Sequence, residues 1–187
     1  MAGPDTVRAL FAEYRKLTAA GVKYRYWNPK APFGPQFYLQ PSELPTLERL
    51  KELGANCSSS WNWARRRIKL PGVGGTVAYR KEFLVRLEQY RPGKRYEAGK
   101  VLIDSTVIGK DDRSHIAVFS DRFDGHGQQL MLQSDHADSG FGGVKPGVTE
   151  RRTVRETYDL FFRQNDSAWV GVMPDVGVIP LGKNKRR

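Results

Sequence analysis

Cys57 is the only cysteine of the chain, and it lies in the stretch Ala55-Asn56-Cys57-Ser58-Ser59-Ser60-Trp61-Asn62-Trp63-Ala64-Arg65-Arg66-Arg67. Asn56 is a good helix N-cap, because its side-chain oxygen can accept a hydrogen bond from an amide of the first turn. The spacing therefore predicts a helix with Cys57 in that turn. Open backbone amides and the helix dipole favour an anion there, so a thiol so placed ionises more readily. The thiolate is the form that attacks carbonyls. The stretch reads as a nucleophile mounted on a helix N-terminus. The alternative reading of a lone cysteine is a buried, inert thiol.

A thiol nucleophile needs a base. The chain has three histidines. His126 falls in the turn-like Asp124-Gly125-His126-Gly127, and His136 falls in a loop. His115 opens the apolar run His115-Ile116-Ala117-Val118-Phe119 directly after a polar loop, which puts its ring at the edge of a sheet. A free imidazole titrates near pH 6.5, so it can take a thiol proton and return it to a leaving amine. Such a pair works best when a third group accepts a hydrogen bond from the other ring nitrogen. Gln133, at the end of the next apolar run, is the first choice. Asp135 and His136 are the alternatives. Cys57, His115 and His136 show no spacing that supports a metal site.

Several elements must bring these residues together. Val7, Leu10, Phe11, Tyr14 and Leu17 predict an amphipathic helix over about 5–20, ended near Gly21. Residues 28–45 form a proline-rich loop, and Thr46 to Gly54 a short helix. The Cys57 helix runs to about Lys69, where Pro71 and Gly72 end it. Gly72-Val73-Gly74-Gly75-Thr76 is a glycine-rich loop that lacks the Lys-Ser/Thr of a phosphate cradle and reads better as backbone brought close to a groove. Val77 to Leu87 reads as helical. After residue 96 the period changes to that of strands: 101–103, 115–119 and 129–134, with residues 109–114 as a polar loop and 122–127 as a hairpin connection. Strands are also expected at 154–162 and 168–172. Helices followed by an antiparallel meander make an α+β fold.

Composition bounds the rest. With 187 residues and 39% hydrophobic content, one domain over 1–172 is expected, followed by a basic tail or linker at 173–187. One cysteine excludes an intramolecular disulfide framework and a cysteine-rich zinc site. No apolar run approaches a membrane span, and the N-terminus shows no secretory pattern, so a soluble, cytoplasmic product is expected. Lys and Arg number 31 against 20 Asp and Glu, a net charge of +11 that predicts a polyanionic partner. Nucleic acid, anionic cell-wall polymers and acidic membranes all satisfy that electrostatics.

The ordered set Asn56-Cys57-Ser58-Ser59-Ser60, Leu70-Pro71, Gly74-Gly75-Thr76, Ser114-His115-Ile116-Ala117-Val118-Phe119 and Leu130-Met131-Leu132-Gln133-Ser134 resembles the NlpC/P60 peptidases. These are papain-like cysteine hydrolases of bacterial cell-wall peptides. Gly21-Val22-Lys23-Tyr24-Arg25-Tyr26-Trp27 is similar to the family's entry segment. Pro146-Gly147-Val148-Thr149 and Arg152-Thr153-Val154-Arg155-Glu156-Thr157 resemble the peptidase domains of actinobacteriophage endolysins. The likeness covers about residues 7–170. Asn56 and Ser59 stand where the family usually has Asp and Gly, Ala98-Gly99-Lys100 replaces Pro-Gly-Asp, and Gln133 stands where histidine is common.

The resemblance implies N-terminal helices packed on a C-terminal antiparallel sheet, with Cys57 as nucleophile, His115 as base and Gln133 as the orienting group. It implies a groove to which Tyr26, Trp27, Ser58, Trp61 and His136 contribute, with Trp63 a further aromatic nearby. It implies no cofactor and no metal, a monomer, and bacterial peptidoglycan with its anionic polymers as partner. The protein would wait in the host cytoplasm until lysis and then act on the wall. The competing readings are a basic nucleic-acid-binding module using Arg65, Arg66, Arg67 and the tail, and a virion-associated or inactive papain-like relative.

Overall fold

The computed structural model of the chain describes residues 2–24, 44–104, 107–108, 111–112, 115–135, 147–163 and 168–181. Helix α1 (Pro4–Ala19) follows its apolar stripe, burying Val7, Leu10, Phe11, Tyr14 and Leu17. Pro4 opens it, where a missing amide costs nothing, and Gly21 ends it at φ 68°, a left-handed turn that suits glycine. Helix α2 (Leu47–Leu53) is capped by Thr46, whose Oγ1 accepts from the Arg49 amide, and stops at Gly54. Helix α3 (Cys57–Arg67) starts at the expected residue, and α4 (Thr76–Ala78) runs on into a π-helical turn over Tyr79–Phe83.

The remaining elements are β1 (Val85–Gln89), β2 (Lys100–Asp104), β3 (Val107–Ile108), β4 (Asp111–Asp112), β5 (His115–Phe123), β6 (Gln129–Asp135), β7 (Gly147–Thr149), α5 (Val154–Phe161) and β8 (Trp169–Val172). Six strands form one antiparallel sheet in the order β1-β8-β2-β5-β6-β7, and β3 pairs with β4 separately. The fold is α+β, with helices on both faces of the sheet. Ile116, Val118, Leu132 and Ile103 point toward α1 and α3 in one apolar cluster. Ala117, Phe119, Met131 and Leu102 alternate to the other face, where Val154, Tyr158 and Phe161 of α5 cover them.

Four expectations change. The 154–162 segment is a helix and not a strand. Its Thr and aromatic content favours a strand, but Thr153 and Glu156 cap each other reciprocally at its start, and Val154, Tyr158 and Phe161 recur at helical spacing. The helix expected through Leu87 ends at Phe83, and Val85–Gln89 forms an edge strand with a bulge where Arg86 takes φ 54°. Part of the polar loop at 109–114 pairs as β3–β4. Strand β8 inserts between β1 and β2, so the sheet is not a simple meander. The packed chain also continues beyond residue 172: Met173 and Val176 are buried in the core, and the Gly3 amide donates to Val176 O at 2.9 Å. Residues 182–187 of the expected tail lie outside the described residues. Among the described residues, no helix is long and apolar enough to cross a membrane.

Arg65, in the last turn of α3, is 0% exposed. Its Nη1 and Nη2 donate to Asp175 Oδ1 and Oδ2 at 3.0 and 2.6 Å, and Nε donates to the Pro71 carbonyl at 2.9 Å. Removing one partner of a buried pair leaves a charge without compensation. Asp175→Asn is expected to lower stability by about 3 kcal/mol, read as a fall of roughly 6–12 °C in the thermal midpoint. An unchanged midpoint would show that the pair is not what holds the end of the chain to α3.

Candidate active site

The start of α3 is fixed from several sides. Asn56 Oδ1 accepts from the Ser59 amide at 2.8 Å, and Ser59 Oγ accepts from the Asn56 amide at 2.9 Å, a reciprocal capping box. Two residues before Cys57, the Ala55 amide donates to Lys23 O at 3.0 Å, and the Ala55 carbonyl accepts from Ser134 Oγ at 2.7 Å. The Val148 amide donates to Val22 O at 2.9 Å, so the segment after α1 is held between β7 and the start of α3. This approach requires glycine at position 147, with φ 143°, because a Cβ there would come 2.7 Å from Val22 O. Cys57 is thus mounted beside the C-terminal end of β6. Its side chain is buried, 8% exposed, and Sγ lies 3.7 Å from Thr76 Oγ1.

His115 is the first residue of β5, at that same end of the sheet. Ala117 pairs with Gln133 across the ladder, so by alternation His115 and Gln133 project from one face. Their side chains meet: His115 Nε2 and Gln133 Oε1 are 3.0 Å apart. Gln133 Nε2 in turn donates to Thr157 Oγ1 at 3.1 Å. The amide is used at both ends, which fixes its orientation. Phe161 stacks on the imidazole at 4.2 Å, and Phe162 meets it edge-on at 5.8 Å. His115 is 5% exposed. Asp104, the cross-strand partner of His115, is buried beside it.

The structure therefore joins His115 and Gln133 directly and sets Cys57 at the same end of the sheet, on the helix that packs against β5 and β6 from the other face. Trp61 is a core side chain: it is fully buried and stacked on Tyr14 at 3.9 Å, away from any groove. Trp63 is buried as well, with Nε1 donating to Pro45 O at 2.9 Å. Ser58 is buried in the first turn, donating to Asn56 Oδ1 at 3.3 Å. Tyr26, Trp27 and His136 lie outside the described residues, as does the Asp135 side chain. His126 is exposed in its turn, where its amide donates to Asp124 Oδ1. Among the described residues, no cluster of three His, Cys, Asp or Glu side chains gathers as a metal would need.

Thr157, Phe161 and Thr76 are contributors the sequence reading did not single out. The signal for the first two was the Thr153–Glu156 capping box, which marks a helix and puts Thr157 and Phe161 on one face. Thr76 follows the glycine-rich loop. Asn62 holds that loop, donating to Gly74 O at 2.7 Å and accepting from the Val73 amide at 2.8 Å. Asn62 Oδ1 also accepts from the Tyr79 hydroxyl at 3.0 Å. Burial raises the Tyr79 phenol far above its ordinary range; Arg65 opposes this, and the charges of Asp175 and Cys57 reinforce it. Tyr79 therefore stays a neutral donor beside the Cys57 helix.

No protein-family model matches the chain, and neither does any curated protein or solved structure.

Because Gln133 Nε2 is spent on Thr157, its Oε1 faces the ring, and an oxygen can only accept. Neutral His115 is therefore expected as the Nε2–H tautomer, visible in the imidazole ¹⁵N shifts, and Gln133→Leu should abolish that preference. A wild-type ring carrying its proton on Nδ1 would contradict the arrangement.

Proposed function

We propose that the chain is a papain-like cysteine peptidase or amidase of NlpC/P60 type that hydrolyses amide bonds in peptidoglycan stem peptides. The observation that carries this reading is the His115–Gln133–Thr157 relay at the sheet end beside the capped start of α3. With Nε2 committed to Gln133, proton exchange uses Nδ1. The Cys57 thiolate attacks the amide carbonyl and forms a C–S bond, while backbone amides at the start of α3 stabilise the oxyanion. The C–N bond then breaks, and the imidazolium gives its proton to the leaving amine. Water attacks the thioester, His115 takes its proton, and the Cys57 thiolate departs. Gln133, a neutral acceptor, orients the ring through both steps.

The net charge of +11 suits a wall rich in anionic polymers. In this reading the protein is an endolysin, held in the host cytoplasm until lysis. Arg65 weighs against the nucleic-acid reading, since its guanidinium is buried on Asp175. A phosphate-binding run would need it at the surface.

Purified peptidoglycan provides the test. Cys57→Ala and His115→Ala should each reduce the release of new amino groups by on the order of 10³ or more, and Gln133→Leu by on the order of 10². Full activity in the Cys57→Ala protein would end the proposal.

A further inference from the structure

The turn joining β5 to β6 lies at the far end of β5 from His115, about 25 Å along the strand at ~3.3 Å per residue. A cavity of about 740 Å³ opens there, between that turn, residues 90–95 and α5. The size is that of a small-ligand site and not of a duplex groove. Its inner wall is aromatic: Tyr90 and Tyr158 stack at 4.7 Å between ring centroids. Burial, reinforced by Tyr96, Tyr158 and Asp159, pushes the Tyr90 hydroxyl up to about 12, which keeps it a neutral donor.

The rim is cationic. Lys94, Arg95, Arg155 and Arg163 line the cavity against one carboxylate, Asp159. Asp159 stands 3.8 Å from Arg155 and 3.9 Å from Arg163, long contacts shared between two guanidiniums. The side chains of Arg155 and Arg163 remain 86% and 73% exposed, so their charge is available to a ligand. Lys94 is anchored by Glu88, and Arg95 lies over the Phe123 ring at 5.1 Å. A stacked aromatic wall under a positive rim matches a sugar or polyol unit that carries an anionic group.

We propose that this cavity binds an anionic polymer of the bacterial wall, with its phosphate or carboxylate on Arg155 and Arg163 and a sugar or polyol face against Tyr158. The choice of polymer rests on the peptidoglycan reading above. The cavity is separate from the Cys57 end of the sheet, so it tethers the protein to the wall without occupying the reaction site.

Co-sedimentation of the full chain with purified walls tests this, using Cys57→Ala as the parent so that nothing is cleaved. Arg155→Gln/Arg163→Gln in that parent should bind roughly tenfold more weakly and with a shallower salt dependence. Walls stripped of their anionic polymers should show the same loss with the parent. Displacement of the parent by an isolated polyol-phosphate polymer identifies the anion as phosphate, and displacement by a uronate polymer identifies carboxylate; either supports the site. Equal binding by parent and double variant, equal binding to stripped and intact walls, or displacement by duplex DNA alone would overturn it. Wild-type hydrolysis of polymer-free peptidoglycan reads the reaction alone. Failure there with wall binding intact would count against the peptidase reading and not against the cavity.

Discussion

The constraint on which the structure depends is the burial of α3. From Cys57 to Arg65 every residue of this helix is buried, and five of these nine are Ser, Asn or Arg. A polar side chain taken out of water costs free energy unless it finds a partner. Each partner fixes a piece of the fold. Ser60 meets the Tyr14 hydroxyl at 3.1 Å and ties α1 to α3. Asn62 gathers the glycine-rich loop and Tyr79. Arg65 draws Pro71 and Asp175 to the helix C-terminus. The apolar contribution comes from Trp61 and Ala64, which lock against the same neighbours.

A helix pinned along its length carries its N-terminus with it. Ala55 is held by Lys23 on one side and Ser134 on the other, so Cys57 is placed by hydrogen bonds from β6 and from the segment after α1. On the other face, α5 does the same for His115 through Thr157 and the two phenylalanines. β5 and β6 are interior strands, and both supports act at the same end of them. The proposed reaction requires the Cys57 thiol, carried by α3 on one face, and the His115 ring, held by α5 on the other, to meet around that end of the sheet.

The helical half of the fold was legible because its signals are local. Apolar spacing defined α1, Thr46 and Gly54 bounded α2, and Asn56 announced the start of α3. The core strands β2, β5 and β6 were legible as apolar runs. Failures came where local preference and tertiary packing disagreed. In Val154–Phe161, β-branched and aromatic residues favour a strand, while the capping box and the three- and four-residue spacing favour the helix that forms. The insertion of β8 between β1 and β2 is a non-local pairing that no local pattern encodes. At the candidate site, the contact between His115 and Gln133 was readable from type and order. Trp61 was misplaced among groove residues, because an aromatic at helical spacing looks the same whether it meets Tyr14 or a ligand. Thr157 was missed because its element was misread.

The rate at which iodoacetamide alkylates Cys57 at pH 6.5, compared between the wild-type protein and His115→Ala, tests the nucleophile–base pair most directly. An imidazole that takes the thiol proton should make the wild-type thiol react at least about tenfold faster than the variant. Equal rates in the two proteins would contradict a Cys57–His115 pair.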